Sequence, residues 1–208
     1  MKIILKHLMD FPILQNAFVY IINNNKGDNN PYHNNGHLMT VFYFAMEMAD
    51  YYKLDDYHKI HLGLVALFHD FNHNGKIGND DVNLKEAYIG FLDFYSYCNE
   101  KLNLYIDTDL FKNILNHTEF PSRPNPTTIE DKIIMDSDML SNYTSGWFKD
   151  NLVGISKEFG VSLKDHLPNQ IKFIENLSFY TEYAQQLHLE KKDKILDKLR
   201  QLERIFKN

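Results

Sequence analysis

The residues of this chain best suited to metal binding or catalysis are His69 and Asp70, which directly follow an apolar run over residues 62–68. Burying an imidazole and a carboxylate at the inner end of a helix costs free energy unless partners satisfy their polar atoms. A divalent metal suits both, because neutral imidazole and carboxylate each donate to such an ion. We therefore predict metal ligands here. His73 lies on the same side if the helix continues.

Two further segments carry ligand-type residues. Residues 32–37 read YHNNGH and place His33 and His37 four residues apart, and residues 133–140 read IIMDSDML, with two acids inside an apolar run. Three separated segments that each bring such side chains toward a core predict a metal centre inside a helical bundle. Asp136 and Asp138 compete for the third position, because both fall near the same helical face.

The order of these motifs resembles the HD superfamily of metal-dependent phosphohydrolases, and in particular the catalytic core of 3′,5′-cyclic nucleotide phosphodiesterases. The resemblance covers about residues 30–145. Its motifs are YHNNGH at 32–37, similar to Tyr-His-Asn-x-x-His; HDFNHNG at 69–75, similar to His-Asp-x-x-His-Pro-Gly; NLKEA at 83–87, loosely similar to Asn-Ser-Glu-Leu-Ala; and DMLSN at 138–142, similar to Asp-Leu-Ser-Asn.

The resemblance implies one or two divalent metal ions, with Mn, Mg, Zn, Fe, Co and Ni not distinguished. The implied ligands of the first ion are His37, His69, Asp70 and Asp138. Asp70 would bridge to a second ion, so that a bridging hydroxide attacks phosphorus. Asp136 is then left with a supporting or capping role.

The resemblance also implies roles around the metals. His33 matches the residue that protonates the leaving oxygen, a task suited to an imidazole that titrates near neutral pH. His73 is expected near the second metal, as a ligand or through water, and belongs with His33 and Asp70 in the implied catalytic set. His117 is a further candidate ligand, with a plain surface position as the alternative.

Three residues are candidates for substrate binding. Tyr32 is expected to pack on a base or ribose. Lys76 and Arg123 are expected to hold a phosphate, Arg123 in a bidentate manner, although surface placement remains the alternative for each. Gln170 is a candidate counterpart of the glutamine with which the family grips a purine.

The resemblance therefore implies a metal-dependent phosphohydrolase that cleaves a small phosphoester, with a cyclic nucleotide phosphodiester first among the substrates. A nucleotide phosphomonoesterase on the same scaffold is the closest alternative. A di-iron oxygenase on the HD scaffold and a binding module with a silent metal site are the other classes that we weigh.

The composition of the whole chain bounds these interpretations. A chain of 208 residues with 44% hydrophobic residues predicts one domain over residues 1–208. A net charge of −6 argues against an extended nucleic-acid partner. A single cysteine, and no apolar run suited to a signal peptide or membrane span, predict a cytoplasmic protein without a membrane partner.

Helical periodicity dominates the sequence, so we predict an all-α helical bundle of the HD type with a long C-terminal helix. The predicted helices cover about residues 2–23, 37–52, 56–69, 82–102, 108–117, 147–158 and 168–205. A capping box is predicted over residues 127–130. The apolar stripe of the last helix predicts docking on its own domain, with a homodimer seam as the alternative; its members are Ile195, Leu199, Leu202 and Phe206.

Overall fold

The computed structural model describes residues 2–76, 78, 80–102, 105–121 and 123–207. Over these residues the fold is all-α, as predicted, without a strand. The helices are α1 (Lys2–Asp10), α2 (Pro12–Asn24), α3 (Asn35–Tyr51), α4 (Asp56–Phe68), α5 (Asp80–Leu102), α6 (Thr108–Leu115), α7 (Ile129–Leu140), α8 (Ile155–Glu158), α9 (Leu163–Asn176) and α10 (Glu182–Lys207).

The central element of the fold is α4, which packs against α2, α3, α6 and α7. Every residue from His61 to Phe68 is buried, and a helix that is apolar on all sides belongs in the middle of a bundle. Around it, five phenylalanines are fully buried, and the rings of Phe91 and Phe111 stack at 3.6 Å. This core fixes the C-terminal end of α4, which is where His69 and Asp70 follow.

Two of the predicted helices, at 2–23 and 168–205, are wrong as single helices, because the structure divides each of them into two. The predicted helix at 2–23 breaks at Phe11, which is extended, and Pro12 begins α2 at a position where its missing N–H is harmless. The predicted helix at 168–205 is α9 and α10, separated by residues 177–181. Pro168 lies inside α9, which begins earlier because Ser162 caps it.

The remaining predicted helices agree with the structure within a few residues, although the segment at 147–158 consists of a π-helix, Phe148–Gly154, followed by the short α8. The capping box lies one residue later than predicted: Thr128 accepts from the Asp131 main chain, and the Asp131 carboxylate accepts from the Thr128 main chain. This cap begins α7, the helix that carries Asp136 and Asp138.

The C-terminal helix α10 docks on its own domain, as predicted. Ile195, Leu196 and Leu199 are buried in the same apolar cluster as the rest of the core, and α10 packs on α9 and α7. Within the described residues, every helix is too short or too polar to cross a membrane.

Candidate metal centre

The structure brings the four predicted metal ligands together. The Nε2 atom of His37, from α3, lies 3.2 Å from Asp70 Oδ2 and 3.3 Å from Asp138 Oδ1 of α7. The Nε2 atom of His69 lies 3.1 Å from the same Asp70 oxygen and 3.2 Å from His37 Nε2. His37 Nε2 therefore contacts the other three residues, and the ligand atoms of His37, His69 and Asp70 all lie within 4.8 Å of one another.

Hydrogen bonds of neighbouring residues orient the His37 and His69 rings toward each other and toward Asp70. The Asn34 side chain caps α3 by accepting from the main chain of Gly36 and His37. The Nδ1 atom of His69 lies 3.0 Å from the carbonyl oxygen of Ala66, so it donates there and presents the lone pair of Nε2 to the cluster.

A buried asparagine that the sequence did not single out supports the His-Asp segment. Asn25 accepts at 2.8 Å from the Asn72 main chain, in the turn after Asp70, and donates at 2.8 Å to Asn35 at the start of α3. Asn72 itself has a φ of 61°, a left-handed conformation that asparagine tolerates. Asn25 therefore ties the two histidine-bearing segments to the end of α2.

The electrostatics of the cluster couple its acids and bases. Burial alone lowers the pKa of His37, but hydrogen bonds with Asp138 and Asp70 outweigh it and raise the pKa to about 9. Burial raises the pKa of Asp138, but the charge of Arg123 and the contact with His37 outweigh it, and the pKa falls to about 2. Burial raises the pKa of Asp70, but electrostatic interactions with His69 and His33 and hydrogen bonds with His37 and His69 outweigh it and hold the pKa well below its ordinary value.

The donor set suits a divalent transition metal, since such ions accept imidazole nitrogen and carboxylate oxygen together. A second observation fits this use. The other ring nitrogen of His37, Nδ1, is buried and has no hydrogen-bond partner among the described residues. His37 and Asn151 both line a cavity of about 280 Å³, and the Oδ1 atom of Asn151 is likewise buried without a hydrogen-bond partner among the described residues. A ligating histidine commonly donates this N–H to a carbonyl or a water, and the cavity has room for such a water.

Asp136 does not belong to the cluster. Its carboxylate accepts from the main-chain nitrogens of Tyr180 and Thr181, and from the Thr181 hydroxyl at 2.7 Å, at the start of α10. Burial raises its pKa to about 6. The contact of His37 with Asp138, and not with Asp136, separates the two acids that the sequence left in competition.

A second group lies beside the first and consists of His33, His73 and Glu158. His33 Nδ1 is 2.5 Å from Glu158 Oε1, and the other carboxylate oxygen accepts from the main chain of Tyr32 and His33. Glu158 gave no signal in the sequence, because it lies in α8, outside every motif. Burial raises its pKa, but the bonds from His33 outweigh burial and lower it.

The geometry of this second group suits proton handling better than metal binding. The rings of His33 and His73 stack at 3.8 Å with 22° between their planes, so their in-plane lone pairs do not converge on one ion. His73 Nδ1 also accepts from the Gly75 main chain at 3.0 Å. Burial and the neighbouring His33 lower the pKa of His73 to about 4, so this ring is neutral at pH 7.

His117 lies apart from both ligand groups found among the described residues. Its Nδ1 is 3.0 Å from the Asn113 carbonyl oxygen and 3.3 Å from a carboxylate oxygen of Asp131, the residue of the capping box. These contacts attach His117 to the beginning of α7. Its role as a ligand stays a prediction.

The three predicted substrate-binding residues lie at or near one cavity. Tyr32 and Lys76 line it. The Tyr32 hydroxyl is engaged with Ser141 and Asn151, so its ring is the part available to a ligand. Arg123 donates to the Asp138 carboxylate and, at 3.3 Å, to the Met135 carbonyl oxygen, with Phe120 beneath its guanidinium. In this structure Arg123 therefore neutralises a predicted metal ligand.

This cavity measures about 490 Å³ and reaches both His69, Asp70 and Asp138 of the first group and His33 and His73 of the second. The lining also includes amides and aromatic rings, which are Asn142, Asn169, Gln170, Phe120, Phe159 and Phe173. Gln170 donates at 3.0 Å to Asn142, whose own amide donates to the Met139 carbonyl oxygen. The volume lies within the range of small-molecule sites.

Ligand-type residues, amides and aromatic rings thus line one cavity. No family model, curated protein or solved structure matches this chain.

Proposed function

We propose that this protein is a metal-dependent phosphohydrolase that cleaves a small phosphoester, with a cyclic nucleotide phosphodiester as the first candidate. The observation that carries the proposal is the cluster of His37, His69, Asp70 and Asp138, of which the last three line a cavity that His33, bonded to Glu158, also lines. This combination provides metal ligands and a proton donor on the same substrate-sized space.

His37, His69, Asp70 and Asp138 would hold the metal. When bound, divalent ions supply activation of water near neutral pH and neutralisation of phosphoryl charge. The chain itself supplies the proton. Glu158 engages Nδ1 of His33 at 2.5 Å, which fixes the ring and leaves Nε2 to give a proton to the leaving oxygen.

The cavity wall supports a nucleotide as substrate. Aromatic rings such as Phe159 and Phe173 offer faces for stacking on a base. Gln170 is anchored by Asn142 and keeps its amide oxygen and a second N–H for a base edge. Lys76 adds a positive charge for a phosphate. A cyclic mononucleotide would therefore have its phosphate at the acids and histidines and its base at the amide wall.

The test is turnover of a panel of cyclic and linear nucleotides, followed by mass spectrometry, with Mn²⁺ added or chelated. We expect Mn²⁺-dependent opening of a cyclic nucleotide. Release of phosphate from linear nucleotides alone would assign a phosphomonoesterase to the same residues. A metal-loaded protein that turns over neither class would refute the phosphohydrolase, and iron content with oxygen consumption would then test the oxygenase.

Three variants sharpen this test. Asp70→Asn should lose both metal content and activity. His33→Gln should keep its metal and lose activity by about 10²- to 10⁴-fold, the usual contribution of general acid catalysis. His58→Gln is the matched control, because His58 bonds with Asp55 at the exposed start of α4 and should leave both properties unchanged. Equal activity of His33→Gln and the parent protein would remove the proton-donor role.

A further inference from the structure

One acid on the wall of the metal cavity has no part in the proposed function. Asp80 begins α5, is only partly buried and lines this cavity. One of its carboxylate oxygens, Oδ2, accepts from the Phe120 main chain. The other, Oδ1, has no hydrogen bond or ion pair among the described residues. Because an ionised carboxylate accepts hydrogen bonds and donates none, the group that satisfies Oδ1 inside the cavity must be a donor or a cation.

The electrostatic neighbours of Asp80 lie at the metal end of the cavity. Burial raises the pKa of Asp80, the bond from Phe120 lowers it, and the charges of Asp70 and Asp138 raise it further. The charge of His33 lowers it as well. Asp80 therefore lies within electrostatic range of two predicted metal ligands and of the proposed proton donor. In a cyclic nucleotide the sugar is fused to the phosphate, so a group at this end of the cavity lies nearer to the sugar than to the base.

The charges around Asp80 narrow the choice of donor. A second phosphate group would bring another negative charge to a wall that already holds Asp70, Asp80 and Asp138. Lys76 lines the same cavity, but no ion pair joins it to Asp80 within the described part of the chain. A hydroxyl group donates to a carboxylate without adding charge. When the phosphate bridges the 3′ and 5′ oxygens of a ribose, the 2′-hydroxyl is the free one.

We propose that Asp80 recognises the 2′-hydroxyl of the substrate, so that the site selects ribonucleotides over 2′-deoxyribonucleotides. This inference rests on the proposed function. The hydroxyl would donate to Asp80 Oδ1 while the phosphate lies at the metal ligands and the base lies toward α9. A substrate without this hydroxyl would leave the carboxylate oxygen unmatched, which is how a site rejects an analogue that lacks one polar group.

The test compares adenosine and guanosine 3′,5′-cyclic monophosphates with their 2′-deoxy analogues on the Mn²⁺-loaded full chain. The readout is kcat/KM where a pair is hydrolysed and the dissociation constant from calorimetric titration where it is not. We expect the ribonucleotide to be favoured by about tenfold, equivalent to about 1.4 kcal/mol. Equal values for the two sugars, or neither turnover nor binding of any of the four, would overturn the proposal. Preferential binding without turnover would refute the phosphohydrolase and leave the hydroxyl site in place.

Matched variants assign the preference to Asp80. Asp80→Ala should bring the ratio between the two sugars close to one, and since both substrates meet the same protein, a general loss of activity cancels from this ratio. Asp80→Asn keeps an acceptor for the Phe120 main chain and should leave a ratio of about threefold, because a hydrogen bond to a neutral group is about half as strong. Asp81→Ala is the control, since Asp81 is the next residue of α5, is exposed and is absent from the described lining of the cavity.

Metal content by mass spectrometry separates this role from metal binding. Both Asp80 variants should keep the metal content of the parent protein. A variant that loses metal would identify Asp80 as a metal ligand and overturn the proposal. If Asp80→Ala does not fold, an unchanged sugar preference in a folded Asp80→Asn protein would contradict the assignment equally.

Discussion

The two acids of α7 should separate cleanly into a structural and a functional residue, and Asp136→Ala tests the structural one. The Asp136 carboxylate accepts from the Tyr180 main chain at 3.0 Å, from the Thr181 main chain at 2.7 Å and from the Thr181 hydroxyl at 2.7 Å. These bonds hold the chain where it turns into α10. Alanine at this position would leave the Thr181 main-chain N–H buried without an acceptor and its hydroxyl with only the Met48 sulfur at 3.4 Å.

The size of the effect follows from these contacts. A hydrogen bond to a charged acceptor contributes about 1.5–3 kcal/mol, and a buried donor left unsatisfied costs about 1–3 kcal/mol. Burial of the Asp136 carboxylate, which raises its pKa to about 6, offsets part of that gain. We expect Asp136→Ala to lower the free energy of unfolding by about 2–4 kcal/mol. For a chain of 208 residues this corresponds to a fall in Tm on the order of 10 °C.

The assay is urea and thermal unfolding of the parent protein, Asp136→Ala and Asp138→Ala, together with metal content by mass spectrometry on folded samples. Asp136→Ala should lose stability and keep its metal. Asp138→Ala should lose metal, because it removes the carboxylate that lies 3.3 Å from His37 Nε2. An Asp136→Ala protein that unfolds like the parent and binds no metal would reverse the two roles and refute this reasoning.

Three further substitutions test other parts of the structure. Glu158→Gln should slow turnover by about tenfold to hundredfold at unchanged metal content, measured by steady-state kinetics, because it weakens the hold on His33. Asp50 is bonded by two lysines; burial raises its pKa, but these bonds outweigh it and lower the pKa from 3.8 to about 2. Its contribution is therefore present above pH 4 and lost as pH falls toward 2, so urea unfolding should show the stability gap between Asp50→Asn and the parent narrowing from pH 7 to pH 3. Gly90→Ala would place Cβ 2.3 Å from the buried Phe71 ring and should cost about 1–3 kcal/mol by thermal unfolding; a parent-like Tm would contradict the packing described.

The ligand cluster could be predicted from sequence because its chemistry is local and unusual. His69 and Asp70 follow a fully buried helix, and Asp138 lies in a run whose neighbours are apolar, so each polar residue stands out against its surroundings. The all-α fold could be predicted for a similar reason, because the helical spacing of apolar residues is also a local property of the sequence. The break at Phe11 could also have been predicted, because Pro12 is a local signal for the start of a helix. The prediction of one helix gave more weight to the helical pattern on both sides of Pro12.

The second helix break could not be predicted in this way. Residues 177–181 separate α9 from α10 because Asp136, more than forty residues earlier, accepts from the main chain there. Local helical propensity carries no information about such a distant contact. The same holds for Arg123, whose pairing with Asp138 depends on how the proline-containing segment folds back on α7.

The part of the chain that completes the cavity lies mostly beyond the motifs. Glu158 holds His33, and Gln170 and Phe173 line the cavity, yet Glu158 and Phe173 stand in no motif and Gln170 was indicated only by the family resemblance. Only a few residue types bind metal ions, so candidate ligands can be recognised in a sequence. A cavity wall needs shape and hydrogen-bonding capacity, which many residue types supply. The residues that form it can therefore be identified only from the folded structure. Under the proposed function, the residues that would bind the metal lie between His37 and Asp138, whereas residues that would select the substrate, such as Gln170 and Phe173, lie in α9.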